Sequence, residues 1–332
     1  MRFKLIVLAG FVFSAWSSIA ISEPLNTVLV ENFVQEMVGK HSFDETELTI
    51  LFSKIKRSVA ISNSAARPAE KTRTWPEYRK RAVTAAQIKN GVEFWRKNKK
   101  TLERARKVYG VPEHIIVAIL GIETRYGKIT GNFPVLSSLS NLAFHYPGDV
   151  KHRAKLFRDY LEQYLLLCRE EGFDPLAIKG SYAGAMGMIQ FMPTPFRRIA
   201  VDFDGDGKRD IWKSNSDAIG SVGNYLMDRG WVRGEHVFSP ATIPSDNMFH
   251  LAEGSGIRTN TDIAKLALAG IYPSQPDLSG DTKARLWCLE EEIGTACWIG
   301  YHNFSVIGRY NPRLKYMMVV AHLGNELLEK MK

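Results

Sequence analysis

A helix with an acid on its apolar side limits what this chain can become. The run Ile115-Ile116-Val117-Ala118-Ile119-Leu120-Gly121-Ile122-Glu123-Thr124-Arg125-Tyr126-Gly127 is mostly apolar or small. Wound at about 100° per residue, it sets Ile115, Ile116, Ile119, Ile122 and Tyr126 on one face, with His114, Thr124, Arg125 and Lys128 on the other. Such a helix needs a core around it. Glu123 falls near the middle of the apolar stripe, one turn after Ile119 and two after Ile116. Carboxylates are rarely buried without a partner, and burial raises their pKa by disfavouring the charged form. Two readings fit this stretch equally. One is a core Glu satisfied by an Arg or by backbone donors; the other is a general acid tuned to work near neutral pH.

With 332 residues the chain has room for two or three packed units around such a helix. Its hydrophobic content of 45% and charged content of 24% are those of a soluble globular protein. The N-terminus reads as a signal peptide spanning residues 1–22: Arg2 and Lys4, the apolar run Leu5 to Ala15, then small residues at Ala20-Ile21-Ser22. No Cys follows it, so a lipid anchor is not expected, and no later segment holds 18 uninterrupted apolar residues. The expectation is an exported, soluble, periplasmic protein. Loss of Arg2 and Lys4 lowers the formal charge from +9 to +7. That balance favours a polyanionic partner, such as an acidic cell-wall polymer or a membrane surface. It does not point to nucleic acid, since no uninterrupted basic run of five to eight residues occurs.

Along the chain, Asn26 to Val38 and Glu45 to Lys56 read as helices, Ser62 to Lys71 as a loop or linker, and Ala85 to Tyr109 as a long basic helix. Pro112 stands in the first turn of the Glu123 helix, and Gly172 stops another helix over Phe157 to Glu171. Pro195 to Val201 and Ala218 to Arg229 bracket an Asp-rich loop. From Val237 to about His302 turn residues multiply and short apolar runs alternate with them, which suggests a small β-containing module broken at Pro273-Ser274-Gln275-Pro276. A closing helix follows Pro312. The class is mainly α with a minor β part (α+β).

Four segments carry candidate chemistry. The run Ser181-Tyr182-Ala183-Gly184-Ala185-Met186-Gly187-Met188-Ile189-Gln190-Phe191-Met192-Pro193 is rich in small residues, which let a ligand or a neighbouring helix approach the backbone. Ser181 and Gln190 are its groups able to hydrogen-bond a neutral ligand. Neither phosphate-cradling glycine motif is present. Next, Asp202, Asp204, Asp206 and Asp210 take positions 1, 3, 5 and 9 of an EF-hand-like Ca²⁺ loop, with Gly207 at position 6 and Lys208 at position 7. Position 12 departs from the pattern: it is Lys213 instead of Glu. Asp217 is either the distal ligand of a longer loop or the N-cap of the following helix. The ion's role would be structural, and no organic cofactor is implied.

In the third segment, Asn303 to Asn311, Asn311 suits an N-cap with Pro312 at the first helical position. Tyr310 and, beyond it, Tyr316 offer the apolar face and polar edge that suit a sugar ring, with Tyr78 and Tyr225 as weaker candidates. The fourth is the cysteine set. Cys288 and Cys297 are either a disulfide or two buried thiols, and Cys168 lies in an apolar run as a core residue. Zinc-protease and nucleophile-elbow motifs are missing, and His145 and His152 read as loop or surface residues.

Taken in order, Gly121 to Gly127, Ser181 to Pro193, Asp202 to Trp212 and Asn303 to Asn311 closely resemble the membrane-bound lytic transglycosylase B family, whose soluble forms are also known. The likeness runs from about Phe33 to the C-terminal helix. It implies a lysozyme-like core over residues 109–236 and an N-terminal helical domain over 23–108. A small β-containing module would cover 237–302, and a return segment 303–332 would end in a helix, 312–330, packed on the N-terminal domain.

The resemblance also implies cleavage of the β-1,4 bond between N-acetylmuramic acid and N-acetylglucosamine in peptidoglycan strands, with a 1,6-anhydromuramyl product. Glu123 would be the single acid and base. Ser181, Gln190, Tyr310 and Asn311, with Tyr78, Tyr225 and Tyr316, would line the sugar sites, and the Asp202 loop would bind Ca²⁺. A monomer that meets cell-wall synthesis or remodelling proteins is the corresponding expectation. Two other activities fit the same residues: a lysozyme-type hydrolase and a non-catalytic wall-binding protein.

Overall fold

The computed structural model describes residues 24–66, 73–148, 150–244, 261–274 and 278–332. The proposed signal peptide and part of the Pro273–Pro276 breaker lie outside the described residues. Helices α1 (Thr27–His41) and α2 (Glu45–Ser53) start where Asn26 and Asp44 cap free backbone N–H groups, at Leu29 and Glu47. Phe33, Phe52 and Phe144 meet as an aromatic triangle, with centroids 5.8 to 6.3 Å apart, and join these helices to the centre of the molecule. The loop expected from Ser62 is helical over its first residues, in α3 (Val59–Ala66). Ala60, Ala65 and Ala66 are good helix formers there, and Ile61 is anchored in the core.

After α4 (Trp75–Ala82) the long basic helix expected over 85–109 is two helices, α5 (Ala85–Lys97) and α6 (Lys99–Tyr109). The break is at Asn98, whose side-chain amide donates to the Phe94 carbonyl at 2.8 Å and competes with the helix. The Glu123 helix, α7 (Glu113–Thr124), is central, with Ile115 to Gly121 all buried. Pro112 stands just before it, as its N-cap. Strand β1 (Phe133–Pro134) leads into α8 (Val135–Phe144) and α9 (Lys151–Glu171). The latter starts six residues before the expected Phe157, and Gly172 ends it with φ of 66°.

Strand β2 (Lys179–Gly180) pairs antiparallel with β1 and delivers the small-residue segment beside α7. Helices α10 (Pro193–Ile199) and α11 (Asn215–Asp228) then bracket the Asp-rich loop.

The β module is more regular than its turn-rich sequence suggests. Strands β3 (Phe238–Thr242) and β4 (Thr261–Asp262), the short helix α12 (Ile263–Leu268), and strands β5 (Tyr272–Pro273), β6 (Lys283–Glu290) and β7 (Thr295–Tyr301) build one antiparallel sheet, ordered β4-β6-β7-β3-β5. Alternation gives it two faces. Leu286 and Ile299 face a small core with Ile263, Leu266 and Ile271, whereas the opposed pair Trp287 and Trp298 joins the main core. Cys288 and Cys297, also directly opposed, form a disulfide, and Cys168 is a buried free thiol.

Helices α13 (His302–Tyr310) and α14 (Leu314–Met331) close the chain. Helix α14 lies on α7 and also reaches α4 and α5. Among the described residues no helix is long and apolar enough to cross a membrane. The class is the expected one, mainly helical with a small antiparallel sheet.

Candidate active site

Helix α7 ends abruptly. Arg125, Tyr126 and Gly127 take left-handed φ values of 51°, 60° and 83°, so Tyr126 lies beyond the helix instead of on its apolar face. Its ring folds back over Gly121, where an added Cβ would sit 2.6 Å from the phenolic oxygen. That hydroxyl donates to Gln87 O at 3.0 Å, while Gln87 Nε2 donates to Gly121 O at 2.5 Å. Gln87 carries no signal in the sequence, yet this buried amide locks α5 to the end of α7.

Of the residues expected on the polar side, Thr124 is buried and His114 is half-buried. Thr124 is 1% exposed; its hydroxyl donates to Met188 O at 2.7 Å and accepts from Gly127 N at 2.9 Å. His114 is covered by α14 at Gly324, and burial pushes its imidazole down to about 4. Both faces of α7 are enclosed by neighbouring helices, so the polar stripe of the wheel does not coincide with solvent.

Glu123 is crowded by protein on most sides but keeps an edge open. Tyr316 Oη donates to its Oε1 at 2.6 Å. Burial pushes the carboxyl up to about 7, with the Tyr316 hydrogen bond opposing the rise. No basic side chain is paired with it among the described residues, so the Arg-satisfied core Glu is not what the fold contains.

Three phenols surround this acid. Tyr316 comes from α14, Tyr310 from the end of α13, and Tyr78 from α4. The Tyr310 and Tyr316 rings stack at 6.4 Å and 13°. Both phenols are held well above their usual range, by burial first and then by the charge of Glu123. Tyr78 is raised for the same two reasons.

Tyr310 Oη is spent on Ile189 O at 2.5 Å, which ties α13 to the small-residue segment. Tyr225 sits behind it with centroids 4.8 Å apart, and donates to Arg309 O at 2.6 Å. Asn311 is the C-cap of α13 and accepts from Arg313 N at 3.3 Å. The N-cap of α14 is Arg313, so Pro312 and Asn311 form an extended connection instead of the expected helix start.

The small-residue segment is a tight loop. Ser181 Oγ accepts from Ala183 N at 3.3 Å and Ala185 N at 3.0 Å. Gly184 and Gly187 have φ of 83° and 65° in close contact with Leu139 and Ile211, so glycine is required at both. Gln190 adopts φ of 51°, a rare conformation for a residue with a side chain, held because its Nε2 donates to Thr130 O and Gly187 O at 3.1 and 3.0 Å. Its Oε1 has no protein partner among the described residues and is available to a ligand.

In the Asp-rich loop, carboxylate oxygens of Asp202, Asp204 and Asp217 come within 4.8 Å of one another. Asp202 accepts from Gly205, Asp206 and Gly207 N–H groups at 2.7, 3.2 and 2.8 Å, which folds the loop around it. Asp206 and Asp210 instead accept from local backbone N–H groups at Lys208 and at Trp212 and Lys213. Asp217 is fully buried and receives Phe203 N and Asp210 N at 2.7 and 2.8 Å. The N-cap of α11 is Ser214, not Asp217. Burial raises the Asp217 carboxyl and nearby Asp204 adds to the rise. Three carboxylates gathered with no basic partner among the described residues fit a hard divalent cation.

Residues 26–325 match the family profile described as Transglycosylase SLT domain. The chain is 40% identical over 308 residues to the membrane-bound lytic murein transglycosylase B of Escherichia coli K12, covering 90% of this chain and 82% of that protein. The soluble lytic transglycosylase SltB1 of Pseudomonas aeruginosa superposes with a TM-score of 0.85 at 42% identity, over 91% of this chain and 99% of the other. The E. coli lytic transglycosylase Slt35, solved in complex with calcium, gives 0.83 at 38% identity, over 94% and 97%.

Proposed function

The chain belongs to the transglycosylase SLT family, and on that premise we propose that Glu123 acts as both acid and base in a lytic cleavage of peptidoglycan. The protein is a lytic murein transglycosylase. The observation that carries the residue assignment is the Glu123 carboxyl itself: pushed to about 7, unpaired with any cation, held by Tyr316, and open on one edge. Such a group is protonated often enough to donate and ionised often enough to accept.

Hydrolytic glycosidases use two carboxylates about 5–10 Å apart. The other acidic cluster here is committed to the Asp-rich loop. A reaction within one sugar needs no second acid. Glu123 gives its proton to the glycosidic oxygen as the bond from C1 breaks. The muramyl 6-hydroxyl then attacks C1 and returns its proton to the Glu123 carboxylate. Holding both groups in one ring favours this over water. Ser181, Gln190, Tyr310, Asn311 and Tyr78 line the sugar sites, with Tyr316 orienting Glu123 and Tyr225 supporting Tyr310. Gln190 Oε1 and the faces of the tyrosines support this reading.

We also assign Ca²⁺ to Asp202, Asp204 and Asp217, supported by their clustering and by the calcium complex of Slt35. An ion there would brace the loop between α10 and α11. A peptidoglycan substrate and the signal peptide expected over residues 1–22 support a periplasmic location. Digestion of purified peptidoglycan followed by mass spectrometry tests the chemistry. Products ending in anhydro-muramic acid are lighter by one water than hydrolysed ends, and Glu123→Gln is expected to abolish them while retaining binding. Hydrolysed ends, or substantial turnover in Glu123→Gln, overturn the assignment.

A further inference from the structure

The small sheet reaches the acid through α4. Trp75, the first residue of α4, is 3% exposed, and its indole N–H donates to Oε1 of Glu291 at 2.9 Å. Arg79, one turn on, donates to the same oxygen at 3.1 Å. Glu291 stands in the turn between β6 and β7, beyond the Cys288–Cys297 bridge, and its own N–H is bonded to Gly294 O at 3.0 Å. The ring of Trp75 completes the joint, lying 6.4 Å from Trp298 of β7 and 5.7 Å from His322 of α14. His322 in turn contacts Trp298 and Phe238 at 5.8 and 5.5 Å.

Both helices at this joint carry a phenol that faces Glu123. Tyr78 follows Trp75 by one turn of α4, and Tyr316 precedes His322 on α14. Lys315 also donates to the Arg73 carbonyl, which ties the start of α14 to the approach to α4. We infer that Glu291 is a positioning residue: through Trp75 it fixes α4 and so holds Tyr78 against Glu123, which makes the sheet a working part of the site.

The two bonds at Glu291 differ in weight. Arg79 is 44% exposed, and an ion pair that open to water contributes little. The indole is buried, so without Glu291 its donor loses its acceptor, and leaving a buried donor unpaired is the costly event. The indole would turn toward water, and an eight-residue helix would move with it.

The titratable groups facing Glu123 are Tyr316 of α14, Tyr310 of α13 and Tyr78 of α4. Helix α5 presents Gln87, a neutral amide bonded at Gly121. Loosening α4 admits further water from the Tyr78 side. Water there stabilises the carboxylate and lowers the Glu123 pKa.

The test compares Glu291→Ala and Glu291→Gln in the full chain on purified peptidoglycan, well below the melting temperature. Glu291→Ala is expected to lower kcat about tenfold with KM little changed, and to move the alkaline limb of kcat/KM to lower pH. Glu291→Gln keeps the shape and an acceptor oxygen, so it moves the limb less, in the same direction. A variant that merely loosens the fold reduces the active fraction and leaves the limb in place. An unmoved limb in both variants overturns the inference. The inference rests on Glu123 as proton donor: turnover in Glu123→Gln defeats that reading, whereas an inactive Glu123→Gln with unmoved limbs in the Glu291 variants defeats only this one.

Discussion

Tyr316 Oη donates a 2.6 Å hydrogen bond to Oε1 of Glu123, and among the described residues it is the one specific contact that favours the ionised acid against burial. The two influences oppose each other, and burial wins. Tyr316→Phe removes the lesser one, so the Glu123 pKa is expected to rise further above about 7. A rise of about one pH unit corresponds to roughly 1.4 kcal/mol withdrawn from the carboxylate. The alkaline limb of kcat/KM moves upward by that amount, opposite in sign to the Glu291 variants. Activity at pH 6 falls about tenfold, because the returning proton meets a less well-oriented base. A limb that stays or moves down would show that Tyr316 does not stabilise the anion.

The same buried acid predicts how stability depends on pH. Its folded pKa, about 7, lies above the ordinary value of 4.5. A raised carboxylate pKa contributes stability that is fully present below 4.5 and is lost as pH rises through about 7. Glu123→Gln has no charge to bury. Relative to the wild type it is expected to gain about 1–3 kcal/mol at pH 8 and nothing at pH 4.5. Urea unfolding at the two values checks this. An equal effect at both would mean that the charge is not what costs stability.

The place of Glu123 in its helix, the close packing at Gly184 and Gly187, and the meeting of Asp202 with Asp204 are legible because each obeys a local rule: helical spacing, small residues, ligand spacing; Asp206 and Asp210, at positions 5 and 9, turn to local backbone instead. Thr124 and His114 are not legible, because a wheel shows which residues share a face but not that α14 and the Met188 loop cover the polar one. Asn311 looked like an N-cap, yet the helix begins two residues later, since nothing local tells a cap from a connection. Gln87 and Glu291 were silent for a plainer reason. Their roles depend on partners 34 and 216 residues away.

Calcium offers a test that does not rely on turnover. If the ion binds Asp202, Asp204 and Asp217, a hundredfold excess over its dissociation constant adds about 2.7 kcal/mol, or roughly 4 °C in Tm for a chain of this size. Chelator is expected to reverse the gain. Asp217→Asn retains the buried shape and removes one charge, so its Tm should respond weakly to calcium. An unchanged response in that variant would remove Asp217 from the ligand set.

The disulfide closes a short hairpin loop, Cys297 lying nine positions after Cys288 in sequence. Chain-entropy estimates for such a loop give about 2–3 kcal/mol. The reduced protein, or a Cys288→Ser/Cys297→Ser variant, is expected to lose that much in urea unfolding. Because the hairpin turn bears Glu291, kcat should fall as well, in the direction of Glu291→Ala. Stability lost without any change in kcat would separate the bridge from the positioning joint.

Thr124 is held by two bonds. Its buried hydroxyl donates to Met188 O and accepts from Gly127 N, bridging the end of α7 to the segment that holds Gln190. Thr124→Val keeps the volume and removes both partners, leaving a buried carbonyl and a backbone N–H unpaired. Each unpaired group costs about 1–3 kcal/mol, so a total loss of roughly 2–6 kcal/mol is expected by urea unfolding. Thr124→Ser restores the hydroxyl at the cost of one methyl, about 1 kcal/mol. Serine should therefore recover most of the loss, and recover kcat with it, because the left-handed turn at Arg125 to Gly127 and the Gln190 loop share this anchor. Should valine prove as stable as serine, the two backbone groups must find other partners, and the bridge would not be what fixes the Gln190 loop beside Glu123.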